Sequence, residues 1–432
     1  MNYVYTQCKS LSMGNSWRFT LMLLCTIIIS NNFLSSELFT PMAVFFGLII
    51  VIFGKINGAS IKLVAPLIAL FLIGFIGMYG HDLRDIFRDS AFSLTPIFLI
   101  IIGYWMAVAR GITPHIVFKI MMTVGFGLAI VHLSTFILNP ALLGAESMEI
   151  RTEAGSTPEL VGLAFVIGLF GKRFGMNGLF PGFLPRLLVM PVLLASILLS
   201  FSRTEYVVVI ILSLSLLGWL SRIDKRFVIS MASIAIGFIL LAVTTPADEE
   251  YTFRSKIVRS VTEVAVSDYQ DIVEIGKNWR GFEAHRAIET FRSGNAWEHV
   301  FGQGFGALVD LGFDMALGGE GDVEFRYIPI THNGYVYILI KAGLLGLICY
   351  ALFYIGVIRY AARFSDSNNI EQKFLSRLLL GCVLSLVFIM LVVGGMAEAH
   401  GAEFVLLVGY LQGWLSRIKS IDCSPKSFGR HP

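Results

Sequence analysis

The sequence predicts an all-α polytopic membrane protein with about twelve transmembrane helices and one large external loop containing short helices. Three observations carry that prediction. Hydrophobic residues make up 56% of the 432 positions and charged residues 15%, and the mean hydropathy is +0.74, a balance foreign to water-soluble globules of this length. Apolar runs long enough to cross a hydrocarbon core, roughly 17–25 residues each as helices, recur along nearly the whole chain. One stretch, 245–331, breaks the pattern: it is long, charged and rich in aromatics.

In order, the runs fall near 18–36, 38–54, 61–79, 91–109, 115–137, 158–171, 187–202, 205–220, 227–244, 332–358, 378–396 and 402–416. The sixth, seventh, eighth and last are short, so eleven or thirteen spans also fit. The chain therefore divides into about nine N-terminal helices over 1–244, the loop 245–331, about three C-terminal helices over 332–416 and a tail at 417–432.

Lysine and arginine near span ends stay in the cytoplasm. Alternate turns are basic, with Lys55 and Lys62, Arg110, Lys172 with Arg173 and Arg186, Arg222 with Lys225 and Arg226, and Arg359 with Arg363, Lys373 and Arg377. Both tails agree, through Lys9 and Arg18 and through Arg417, Lys419, Lys426 and Arg430. The pattern predicts both termini inside and 245–331 outside. The net charge of +3 is accounted for by orientation and gives no reason to invoke nucleic acid. No cleavable signal pattern is visible in Met1–Thr20, so the first span is expected to direct insertion.

Cys8, Cys25, Cys349, Cys382 and Cys423 fall in spans or predicted cytoplasmic tails, so no disulfide framework is implied. No CxxC or His/Cys ligand spacing occurs, and neither a structural metal nor a cofactor is expected.

Loops as long as 245–331 are usually functional. Within it "NWRGFEAHRAIETF" (278–291) reads as a helix, with Arg280, Ala284, Ala287 and Phe291 on one stripe and His285, Arg286, Glu289 and Arg292 toward the other side. Arg280 is the charge on the apolar stripe. It is either a snorkelling surface arginine or one held to meet an anion. The following "HVFGQGFGALVDLG" (299–312) reads mainly as a turn where backbones pack closely, and less as a phosphate cradle, because no strand precedes it.

At the mouth of the tenth span stand His332 and Asn333, followed after nine residues by Gly343 and Gly346. Alone, such a histidine is an interfacial anchor or a proton acceptor. Gly343 and Gly346 read as small residues that let this span pack closely against another. Lys341, about 13 Å deeper at 1.5 Å per residue, can pair with a carboxylate, face a wet cleft or bind a phosphate. Glu398, His400 and Glu403 form another external polar cluster, either solvated loop or one wall of an acceptor site.

The His-Asn, nine residues, Gly-x-x-Gly pattern resembles the signature of the O-antigen ligase family, which includes O-antigen and exopolysaccharide polymerases. "LSFSRTEYVV" (199–208) is similar to its Ser-Arg segment, "NWRGFEAHRAIETF" with "FGQGFG" to its loop arginine helix and glycine turn, and "EIRTEAGSTPEL" (149–160) to its external segment with arginine and proline, although an expected Asn-Pro-Asn is missing there.

The resemblance implies a metal-independent glycosyltransferase of the bacterial inner membrane. It would act at the periplasmic face on a glycan carried by a polyprenyl diphosphate, in lipopolysaccharide or surface polysaccharide biosynthesis. The acceptor would be lipid A core in a ligase, or another lipid-linked repeat in a polymerase. His332, Arg280 and Arg203 are the expected catalytic residues, Arg151, Asn333, Glu283 and Lys341 the expected substrate-binding ones, and Gly343 and Gly346 structural. The chemistry is coherent. A leaving diphosphate at a lipid interface needs fixed cations in reduced dielectric, arginine grips phosphate oxygens bidentately, and an imidazole can take the acceptor's proton. A transporter is the competing class, but transporters tend to place ionisable groups at mid-membrane and to show repeated halves. Here the notable charges other than Lys341 gather at the predicted external face, and no internal repeat is evident.

Overall fold

The computed structural model describes residues 16–54, 58–144, 150, 153–155, 159–176, 182–221, 275, 278–316, 324–394 and 401–422. The described chain is mainly helical. Its apolar helices are α1 (Ser16–Phe33), α2 (Ser36–Phe53), α3 (Gly58–Ile73), α4 (Leu83–Val108), α5 (Pro114–Leu138), α6 (Glu159–Phe170), α7 (Phe183–Leu199) and α8 (Arg203–Leu217). Two shorter helices follow, α9 (Trp279–Arg292) and α10 (Ala296–Phe301), then strands β1 (Val309–Ala316) and β2 (Glu324–Ile328), then α11 (Gly334–Ala362), α12 (Ile370–Val393) and α13 (Ala402–Asp422).

Each expected span coincides with one of these helices except 227–244, which lies outside the described residues. Among the described residues α2, α4, α5, α11 and α12 are both long and apolar enough to cross a bilayer, which makes this a multi-pass membrane protein. Two spans begin earlier than hydropathy suggests. Helix α4 starts at Leu83 because the Asp82 side chain accepts from the Arg84 N–H at 2.7 Å, and α12 starts at Ile370 because Asn369 Oδ1 accepts from Glu371 and Gln372 N–H. Such caps satisfy otherwise orphaned donors in turns too polar to register as membrane-spanning.

Helix α4 is the central pillar, buried at every residue from Thr95 to Ala107. It packs on α13 through glycines: a side chain at Gly103 would strike the Leu406 carbonyl, and one at Gly409 would strike that of Ile100. Small residues bring helix backbones into close approach where lipid supplies no hydrophobic drive for association.

The loop contains more than the short helices expected of it. β1 and β2 pair antiparallel as a two-stranded hairpin, Val309 opposite Ile328 and Asp310 opposite Tyr327. The Asp310 carboxylate accepts from Arg326 and from the Gly312 N–H, and these contacts hold its pKa below the usual carboxylate range. The strands went unread because β1 and β2 are short, eight and five residues, and 299–312 was read mainly as a turn.

A second core beside the helix bundle joins Phe282 and Ala287 of α9 to Val309 and Leu311 of β1 and to Val336 and Ile340 of α11. The opposite face of the first turns of α11, with Tyr337, Ile338 and Ala342, belongs to the main bundle core. These turns therefore unite loop and bundle.

Candidate active site

His332 immediately precedes α11, whose first turn is capped by the next residue: Asn333 Oδ1 accepts from Tyr335 N–H at 3.1 Å and Val336 N–H at 3.3 Å. The histidine is held by Glu283 of α9. One carboxylate oxygen, Oε2, lies 2.7 Å from His332 Nδ1, and the other, Oε1, accepts the His332 backbone N–H at 3.1 Å. Glu283 is buried at 3% side-chain exposure while the imidazole is 41% exposed. An ionised carboxylate only accepts, so with Glu283 ionised Nδ1 carries the proton, and when the ring is neutral its lone pair lies at Nε2. An imidazole whose far nitrogen is oriented by a buried acid has the geometry found in catalytic dyads and triads.

Arg280 sits one turn before Glu283 on α9 and is partly exposed. Residues three apart are neighbours on a helix surface, so Arg280 shares a face of α9 with Glu283. The single-stripe wheel described this helix incompletely. Its fully buried residues are Phe282, Glu283 and Ala287, because α9 is packed on two sides, by the hairpin, where Phe282 meets Phe313, and by α11.

Arg203 opens α8 after a tight turn. The Ser202 hydroxyl accepts the Glu205 N–H, and Phe201 has φ of +46°, a conformation costly for an aromatic residue. Phe201 packs with Ile150, Ala154 and Leu199, so Ile150 and Ala154 lie against this turn. Arg151 itself lies outside the described residues. Helices α8 and α12 run antiparallel: Ser215 donates to the Arg377 carbonyl at 2.6 Å, and a turn further along α12 Gly381 faces Leu212, a turn back along α8. Climbing about 18 Å along each helix brings Arg203 level with the last turn of α12, where the Gly394 N–H donates to the His332 carbonyl. Arg203 and His332 therefore share one end of the bundle.

The glycine turn is no phosphate cradle. The N–H groups of Gly302, Gln303, Phe305 and Ala307 go to the Glu298, Ile340, Gly74 and Gly304 carbonyls, and that of Gly306 goes to the Asp89 carboxylate. Its glycines serve close approach: at φ +91°, Gly304 abuts the backbone of Gly77. Gly343, at φ +64°, breaks α11 and lies against Val300 and Gly302. The expected close packing at Gly343 is thus made with the loop, not with another span. Gly346 meets Ala342 and Ile338 of the turn before the break.

Of the three settings open to Lys341, the carboxylate pair is the one present: its ammonium lies 2.6 Å from Asp89, with side-chain exposures of 3% and 0%. Glu403 also departs from the solvated-loop reading, being buried and bonded to Asn31 and Asn32 at 2.8 and 2.7 Å. Glu398 and His400 lie outside the described residues.

Residues 188–351 match the family model described as O-antigen ligase. Over this stretch the chain is similar to the O-antigen ligase family. Comparison with curated proteins gives no match. The O-antigen ligase segment contains Arg203, Arg280, Glu283, His332, Asn333 and Lys341, so every described candidate lies inside it. Its family assignment supports a membrane glycosyltransferase of O-antigen ligase or polymerase type. Asp89 lies before the segment and escaped sequence reading. The available signal was Lys341 itself, since a lysine in a span calls for a carboxylate. Glu283, expected only to bind substrate, is the direct partner of His332.

Proposed function

We propose that the protein transfers a glycan from a polyprenyl-diphosphate-linked donor to an acceptor hydroxyl at the periplasmic face of the inner membrane, as an O-antigen ligase-like enzyme. The observation that carries this reading is the two-point hold of Glu283 on His332, one turn from Arg280. His332 Nε2 takes the acceptor proton as the acceptor oxygen attacks the anomeric carbon. The bond from that carbon to the diphosphate oxygen breaks with inversion. The diphosphate leaves with its charge met by Arg280 and Arg203, where low dielectric strengthens each contact. Glu283 stabilises the imidazolium until its proton passes to water.

Glu283→Gln tests the arrangement. The glutamine amide can donate to Nδ1, which would move the ring proton to Nε2 and abolish the acceptor there. Turnover with a defined lipid-linked donor should fall by about 10²-fold, the lower end of what a general base contributes, with expression unchanged. Wild-type turnover in this variant would remove the base role.

The proposed orientation has its own check. A reporter fused after Asn295 should be active only outside the cytoplasm, and one fused after Arg417 only inside. The reverse pattern would put the site on the wrong face for an exported donor.

A further inference from the structure

The Asp89–Lys341 pair touches none of the groups used in the chemistry above, yet it sits where α11 breaks. Burying two charges costs more desolvation than their attraction commonly returns, and well-packed apolar replacements are often as stable. In a membrane span the lysine is costlier still. Stability alone is a poor reason for the pair, whereas its backbone contacts are specific. Asp89 Oδ2 accepts the Gly306 N–H at 2.8 Å, and Lys341 Nζ donates to the Ala307 carbonyl. Beside them the Ile340 carbonyl accepts the Gln303 N–H at 2.7 Å.

The part of α11 before the break, Gly334–Ala342, is short, and helices under about 12–15 residues are marginal without tertiary contacts. Besides the packing of its faces into the two cores, it is tied at both ends. At one end His332 is bound by Glu283 and Gly394; at the other Lys341 is bound by Asp89 and the glycine turn. Its flank, through Val336 and Ile340, seats α9, the helix that carries Arg280 and Glu283.

Resting on the reading of His332 as the base, we propose that Asp89 and Lys341 are positioning residues that clamp the inner end of this half-helix to the glycine turn and so set where His332 stands relative to Arg280. A shift of about 1 Å in a catalytic group can cost on the order of 10² in rate, which is the effect that loss of the clamp should have.

The test uses purified full-length protein and a polyprenyl-diphosphate-linked glycan. Two paired replacements are compared with wild type: Asp89→Leu with Lys341→Met, which deletes the backbone contacts, and Asp89→Asn with Lys341→Gln, which keeps a hydrogen-bond acceptor and a donor without charge. The apolar pair should melt at the wild-type temperature and keep its KM for donor, with kcat about 10²-fold lower. The amide pair should recover most of that kcat. In a His332→Gln background the loss should largely vanish, because residues that act as one unit are not additive. Full kcat in the apolar pair, or a loss that multiplies undiminished with His332→Gln, overturns the proposal. Should the apolar pair fail to accumulate, the amide pair carries the same test through whether its smaller loss multiplies. These outcomes leave the role of His332 standing; activity in His332→Ala would instead remove the reading on which the proposal rests.

Discussion

His332→Ala is expected to lower glycan transfer by about 10²–10⁴, the range a general base contributes, while protein level and donor binding stay near wild type. The substitution removes the proton acceptor and leaves Glu283, 3% exposed, without its imidazole partner. Some loss of stability should therefore accompany it, since a buried carboxylate deprived of a partner is costly. His332→Gln separates proton transfer from positioning. Glutamine can donate a hydrogen bond but cannot usefully accept a proton at neutral pH, so substantial turnover in that variant would leave His332 a positioning role only. The pH dependence gives a second separation. A base must be neutral, so wild-type turnover should fall as pH drops through the pKa of the imidazole; a cationic phosphate ligand would instead lose function as pH rises.

Arg280→Ala is the second large effect, a drop of about 10²–10³ in kcat, as when one charge-stabilising donor is removed from a transition state. Its position one turn from Glu283 makes the loss catalytic rather than structural, because the fully buried face of α9 is formed by Phe282, Glu283 and Ala287. Arg280→Lys should restore activity only in part, since an ammonium lacks the planar fork that grips two phosphate oxygens. Full activity of Arg280→Ala at normal expression would exclude an anion role.

How far the sequence carried the account follows from what each signal measures. Hydropathy placed the helices because a bilayer selects for long apolar runs, and it misjudged the starts of α4 and α12 because capped polar turns extend a helix beyond its apolar part. The His332-Asn333 pattern placed the histidine at the mouth of a span, and Asn333 caps α11 there. Periodicity could not reveal that α9 is covered on two sides, so Glu283 was expected to meet substrate and its bond to His332 went unseen. Pairings distant in sequence, Asp89 with Lys341 and Asn31 with Glu403, arise only when the chain folds. The hairpin was hidden for a related reason, since its partners, such as Val309 with Ile328, meet only when the chain folds.

The central claim is that this chain breaks a sugar–diphosphate bond and makes a new glycosidic one. Purified protein in liposomes, given a polyprenyl-diphosphate-linked glycan labelled in the sugar together with a hydroxyl acceptor, measures it most directly. The account predicts that label appears covalently on the acceptor, with one free polyprenyl diphosphate released per transfer, and that His332→Ala yields neither. Intact donor that crosses the bilayer while no diphosphate is released would contradict the account and make the protein a transporter.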